Sequence, residues 1–122
     1  MAFKEHLKRI VDNADGAMAA VVMGFDGIAI ESYDRPAAAG EGLDTQTMGI
    51  ELAGLFGQVR NVINNVDSGT FKEISISTDK ILAVARIMSG EYFVAVVLRA
   101  DGNFGKARYL LRVVTPALEQ EF

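Results

Sequence analysis

Along the chain the spacing of apolar residues alternates between helical and strand periods. In "FKEHLKRIV", Phe3, Leu7, Ile10 and Val11 recur at helical spacing and leave Lys4, Glu5, Lys8 and Arg9 on the opposite side. This predicts a first amphipathic helix, ending near "DNADG" (12–16). Two strands follow, Met18 to Phe25 and Ile28 to Tyr33, around the Asp-Gly pair of "MGFDGIAI". Asp-Gly between two apolar runs predicts a two-residue hairpin turn of type I′, whose central residues both need positive φ. In that register Phe25 and Ile28 face each other, on the side shared with Val21, Met23 and Ile30. "DRPAAAGEG" (34–42) is a loop by its Pro and Gly content.

Asp44 is a candidate N-cap for "TQTMGIELAGLFGQVRNVINNV", in which Ile50, Leu52, Ala53, Leu55, Phe56, Val59, Val62, Ile63 and Val66 extend over about six turns. That apolar sector is too wide for one contact. The helix is expected to be buried on two sides, by its own sheet and by a further surface. Three strands come next, Thr70 to Thr78, Ile81 to Met88 and Tyr92 to Arg99, joined by "TDK" and "SGE" as a meander. A last helix, capped by Asn103, turns Ala107, Leu110, Leu111, Val114 and Leu118 inward, and Pro116 kinks it or starts its final turn.

The order is helix, two strands, helix, three strands, helix. "AMAAVVMGF" and "YFVAVVL" are apolar at nearly every position, as strands covered on both faces are, which places them side by side at the centre of the sheet. "FKEISIST" alternates and carries Lys72 and Glu73, which suits an edge. The expected fold class is α/β, an α+β sandwich. One five-stranded antiparallel sheet carries helices on both faces, within a single domain spanning 1–122.

Composition narrows the function. A chain of 122 residues, half of them hydrophobic, supports one core. Its net charge of −4 comes from 16 acidic and 12 basic residues scattered along the sequence, with no basic run to neutralise phosphates, so nucleic acid is not an expected partner. The absence of cysteine removes disulfides and thiol chemistry. Lys4, Lys8 and Arg9 before the apolar run Ala17 to Phe25 imitate a signal peptide, but Asp12 and Asp15 interrupt the approach. That run also falls far short of the roughly 20 residues that span a bilayer. A cytoplasmic protein without membrane insertion is expected.

Catalytic chemistry finds no foothold. The single histidine, His6, sits at the border of the first helix's apolar stripe, without a cysteine or second histidine to work with. No HExxH, GxSxG or GxxxxGK[ST] motif exists, and "AGEG" (39–42) lacks the Lys and Ser/Thr of a phosphate cradle. The pairs Glu119 with Glu121 and Asp12 with Asp15 read as solvated surface. Arg60 has the chemistry of an arginine finger, but a lone helical arginine is more often simply solvated. No catalytic residue, cofactor or metal is expected.

"VVMGFDGIAI" and "LRADGNFGKAR", with Asn103 and Gly105, together with the order of elements over nearly the whole chain, resemble the hairpin and the strand-to-helix junction of the roadblock (dynein light chain) family. The likeness is greatest to its bacterial MglB/MglC type. The resemblance implies the αββαβββα fold and a homodimer made through the second helix and third strand. It also implies adaptor or regulator work on a Ras-like GTPase of the MglA type, in cell polarity and gliding motility. Implied partners are a second copy, another roadblock protein of the MglB type and the GTPase itself, with recruitment to a cell pole by those partners. MglB-type activators extend past the last helix whereas this sequence stops at Phe122, which favours the adaptor over the alternative, a GTPase-activating protein. A PAS-like small-molecule sensor, which would enclose a ligand pocket, and an unrecognised enzyme are the other classes.

Two candidate surfaces follow. Gly49, Ala53 and Gly57 fall at intervals of four and make a smooth strip that another backbone could approach; the helix's own sheet is an equally good occupant. With Phe56, Arg60, Lys72 and Ile74 they form the expected dimer interface. Phe25, Asp26 and Ile28 form the expected partner site, an apolar pair beside a carboxylate at a hairpin tip. The plainer reading is a cross-strand pair tucked under a helix.

Overall fold

The apolar runs and the periodic segments sort into one sheet and three helices. The computed structural model describes residues 2–36, 44–88 and 91–122. Its elements are α1 (Ala2–Asn13), β1 (Ala17–Gly24), β2 (Ala29–Asp34), α2 (Thr45–Asn65), β3 (Glu73–Ser77), β4 (Ile81–Ile87), β5 (Tyr92–Arg99) and α3 (Phe104–Glu119). The strands form a single antiparallel sheet in the order β2-β1-β5-β4-β3. The two most apolar strands, β1 and β5, are therefore neighbours near its centre, and β3 is an edge, as their patterns predict. β3 is shorter than its sequence suggests. Residues 70–72 leave the ladder because Phe71 turns into the core beneath α2, although the Lys72 carbonyl still accepts from the Ile87 amide at 2.9 Å.

Helices cover both faces. On one, α1 and α3 lay Leu7, Ile10, Val11, Leu110, Leu111, Val114 and Leu118 over Val22, Val84, Val94, Val96 and Leu98. Full burial of each such side chain contributes about 1.5–3 kcal/mol. On the other, α2 sets Ala53 and Phe56 against Met23, Phe93 and Ala95.

The helix starts are those expected. Asp44 Oδ1 accepts from the Thr47 amide at 3.0 Å, and Asn103 Oδ1 accepts from Lys106 at the same distance. The Thr47 hydroxyl and amide hold the Asp44 carboxyl below its ordinary range. α3 continues through Pro116 to Glu119, forgoing one backbone hydrogen bond. His6 lies 3.8 Å from Glu121 at the α1–α3 border. "AGEG" and Leu43 lie outside the described residues, as do Ser89 and Gly90 of the β4–β5 connection.

Two Asp-Gly turns cross at the end of the sheet opposite the hairpin tip. The Asp15 carbonyl accepts from Asn103, and the Gly16 carbonyl from Arg99, both at 2.8 Å. A Cβ on Gly16, whose φ is +85°, would lie 2.5 Å from the Gly102 Cα. The strand-to-helix junction therefore depends on Gly102, where the backbones touch, more than on Gly105.

Candidate functional site

The tip of the β1–β2 hairpin departs from its expected geometry. Only Gly27 of the Asp-Gly pair takes positive φ (+85°). The Gly27 amide donates to the Gly24 carbonyl at 3.0 Å, and the Gly24 amide to the Ile28 carbonyl at 3.0 Å. The loop is therefore three residues, Phe25-Asp26-Gly27, a tight turn followed by a glycine bulge. A second irregularity leaves Ile30 unpaired, since Val22 opposes Glu31 and Met23 opposes Ala29. The extra loop residue separates Phe25 from Ile28.

The two apolar residues consequently have different fates, and neither the cross-strand pair nor a matched pair of anchors exists. Phe25 folds down onto the α2 face. Its ring meets Phe93 edge-on at 5.6 Å, Phe93 in turn meets Phe56 at 4.9 Å, and the Arg60 guanidinium lies 4.1 Å above the Phe25 ring. Arg60 Nη1 also donates to Glu91 Oε1 at 3.3 Å, and the Phe25 amide to the Glu91 carbonyl at 3.0 Å. Arg60 is thus neither a free arginine finger nor simply solvated: it clamps the tip to α2. Ile28 points away and stays 64% exposed. Asp26 Oδ1 accepts from the Ile28 amide at 3.0 Å, which leaves the other carboxylate oxygen turned to solvent at the tip. The arrangement is one exposed apolar residue and one carboxylate, on a turn whose base is fixed by an aromatic stack.

The small-residue strip on α2 divides. Gly49, Ala53 and Phe56 are buried against the chain's own sheet, and a Cβ on Gly49 would stand 3.0 Å from Met23 Cε. This corrects their placement on an outward surface. Gly57 lies elsewhere: it and Gly54 have no neighbouring heavy atom within 4 Å of a built Cβ. They continue a different row, Ile50, Gly54, Gly57 and Asn61, which was not legible as a strip because it interleaves glycine with larger residues. Ile50, Leu55, Val62 and Val66 all remain exposed, Val62 and Val66 by 60% or more. The two-sided apolar sector of α2 is therefore half satisfied within one chain. On β3, Ile74 packs beneath α2 and Lys72 is exposed just before the unpaired edge.

A cleft of about 210 Å³ opens between the first half of α2 and β1–β2, lined by Val21, Met23, Ser32, Thr45, Gly49 and Leu52 among others. It is smaller than the roughly 300–1,000 Å³ of small-molecule pockets, and among the described residues Asp34 is the one charged group that lines it. Among the described residues no His, Cys, Asp and Glu group could hold a metal ion, and no helix is long and apolar enough to cross a membrane.

Comparison with solved structures decides the family. MglC from Myxococcus xanthus is 41% identical over 100% of both chains, with a TM-score of 0.73. The chain belongs to the roadblock family, of the MglB/MglC type. The roadblock fold recurs in MglB of Myxococcus xanthus (15% identity, 98% of this chain and 93% of that one, TM-score 0.81). It recurs again in a Roadblock/LC7 domain from Streptomyces avermitilis (15% identity, 98% and 96%, TM-score 0.81). At that identity the likeness is one of fold. No protein-family model and no curated protein matches the sequence.

Proposed function

We propose that this roadblock protein is a non-catalytic, homodimeric adaptor that regulates an MglA-type Ras-like GTPase module of bacterial cell polarity and gliding motility. It acts by binding another roadblock protein of the MglB type. It works in the cytoplasm, without a cofactor, and is recruited to a cell pole by its partners. The full-length likeness to MglC carries this reading. Support for binding through the tip comes from Ile28 and Asp26, exposed on a turn that Phe25, Arg60 and Glu91 hold in place. A rigid tip loses little entropy on docking, so its two exposed side chains can contribute most of their contact energy to affinity.

Self-association would use the uncovered side of α2 and the free edge of β3. The row Ile50, Gly54, Gly57 and Asn61 offers a path without Cβ atoms at its centre, along which a second backbone can approach, and exposed Leu55, Val62 and Val66 form a second row about a third of a turn around the helix. The test combines light scattering with phosphate release. The adaptor reading expects a dimer at micromolar concentration and no stimulation of an MglA-type GTPase by this protein alone. It expects altered release once an MglB-type protein is present. Direct stimulation without that protein would favour the GTPase-activating alternative.

A further inference from the structure

The charges of this chain are not evenly distributed in space. α1 and α3, which pack side by side on one face of the sheet, carry six of the 12 basic residues and three of the 16 acidic ones. This layer therefore nets +3, against −7 for the rest of a chain whose total is −4. Lys8 is paired with Asp12, and Arg108 with Glu73. Lys106 and Arg112 are exposed and have no ion-pair partner among the described residues. Each lies three residues from Tyr109, so they flank it along the outer side of α3. Tyr109 is 60% exposed and Val113, one turn on, 39%; Pro116 extends the row. An apolar stripe between two free cations lies on the face of the sheet opposite α2.

We infer that the outer side of α3 is a second docking surface, which takes an acidic amphipathic segment of a protein partner. Charge complementarity selects this occupant. A second copy presenting the same face would oppose cation to cation, which excludes a two-fold contact here. A lipid surface needs a broad apolar face, and two large side chains with one proline do not form one. An acidic helix with its own apolar row satisfies Lys106 and Arg112 while covering Tyr109 and Val113. The protein would then join two partners at once, one at the tip and one on α3.

The experiment is a peptide-display selection on the immobilised wild-type protein, followed by fluorescence anisotropy of the enriched peptides. Tyr109→Ala, Arg112→Glu and Lys106→Glu are compared with an Asp26→Ala/Ile28→Ala control, and circular dichroism confirms that each variant folds. Enriched peptides should be acidic with apolar residues at helical spacing, should lose about tenfold or more in affinity for the α3 variants, and should bind the tip variant unchanged. Neutral or basic peptides, equal binding to the α3 variants, or no enrichment would overturn the proposal. So would binding to vesicles of phosphatidylcholine and phosphatidylserine in equal parts that the α3 substitutions abolish.

Discussion

Replacing Phe25 by alanine separates the structural part of the hairpin tip from its binding part. Truncating a buried phenylalanine costs about 3–5 kcal/mol. Phe25 is half-buried, so roughly half of that is at stake, and the Arg60 cation over its face adds about 0.5–1 kcal/mol. A loss of about 2–3.5 kcal/mol is expected for Phe25→Ala. In a domain of this size that lowers the melting temperature by about 6–18 °C. Ile28→Ala removes an exposed side chain and stays within about 0.5 kcal/mol of wild type. Thermal and urea melts of both variants measure the difference. A double-mutant cycle with Arg60→Ala should return a coupling of about 0.5–1 kcal/mol, because the second substitution removes the same contact. If Phe25→Ala melts within a degree or two of wild type, the aromatic stack does not hold the tip, and the division of roles between Phe25 and Ile28 fails.

The glycines of α2 make opposite predictions. Gly57→Leu should yield a folded monomer by light scattering, and Gly49→Leu a destabilised protein, since only Gly49 meets Met23; a Gly57→Leu variant that remains dimeric would remove Gly57 from the seam. Asp44, whose carboxyl is held low by Thr47, stabilises α2 while ionised, so its contribution is present above its unfolded value and is lost as pH falls through the folded one. The difference in melting temperature between wild type and Asp44→Ala should therefore hold from neutral pH to about 5, begin to shrink near pH 4, and disappear only once the pH has fallen below the lowered folded value. Glu73 joins Arg86 of β4, at 3.1 Å, and Arg108 of α3, so Glu73→Ala should cost about 1–3 kcal/mol in urea unfolding, and equal stability would show the bridge to be idle.

What the sequence revealed and what it concealed have physical reasons. β1 and β5 declared themselves central because both faces of each are buried, which leaves an uninterrupted apolar run. Asp44 and Asn103 declared themselves caps because capping is local: the side chain reaches an amide three residues away. The hairpin tip was ambiguous because Gly27 takes positive φ in either turn, and the contacts that hold Phe25 come from Phe93 and Arg60, distant in sequence. The α2 strip was misread for a geometric reason. Steps of four residues advance 400°, so Gly57 lies about 80° around the helix from Gly49, enough to move it off the sheet. The cationic stripe on α3 was hidden because its partners in charge, on α1, stand at the other end of the chain.

The central claim is that this roadblock protein binds an MglB-type partner through the exposed part of its hairpin tip. Isothermal titration of that partner into wild type and into an Asp26→Ala/Ile28→Ala variant, with Phe25 and its stack intact, tests it most directly. The variant should melt as wild type does and remain dimeric, yet bind at least about tenfold more weakly, a loss of 1.4 kcal/mol or more. Equal affinity in the two proteins would contradict the claim and place the binding surface elsewhere on the fold.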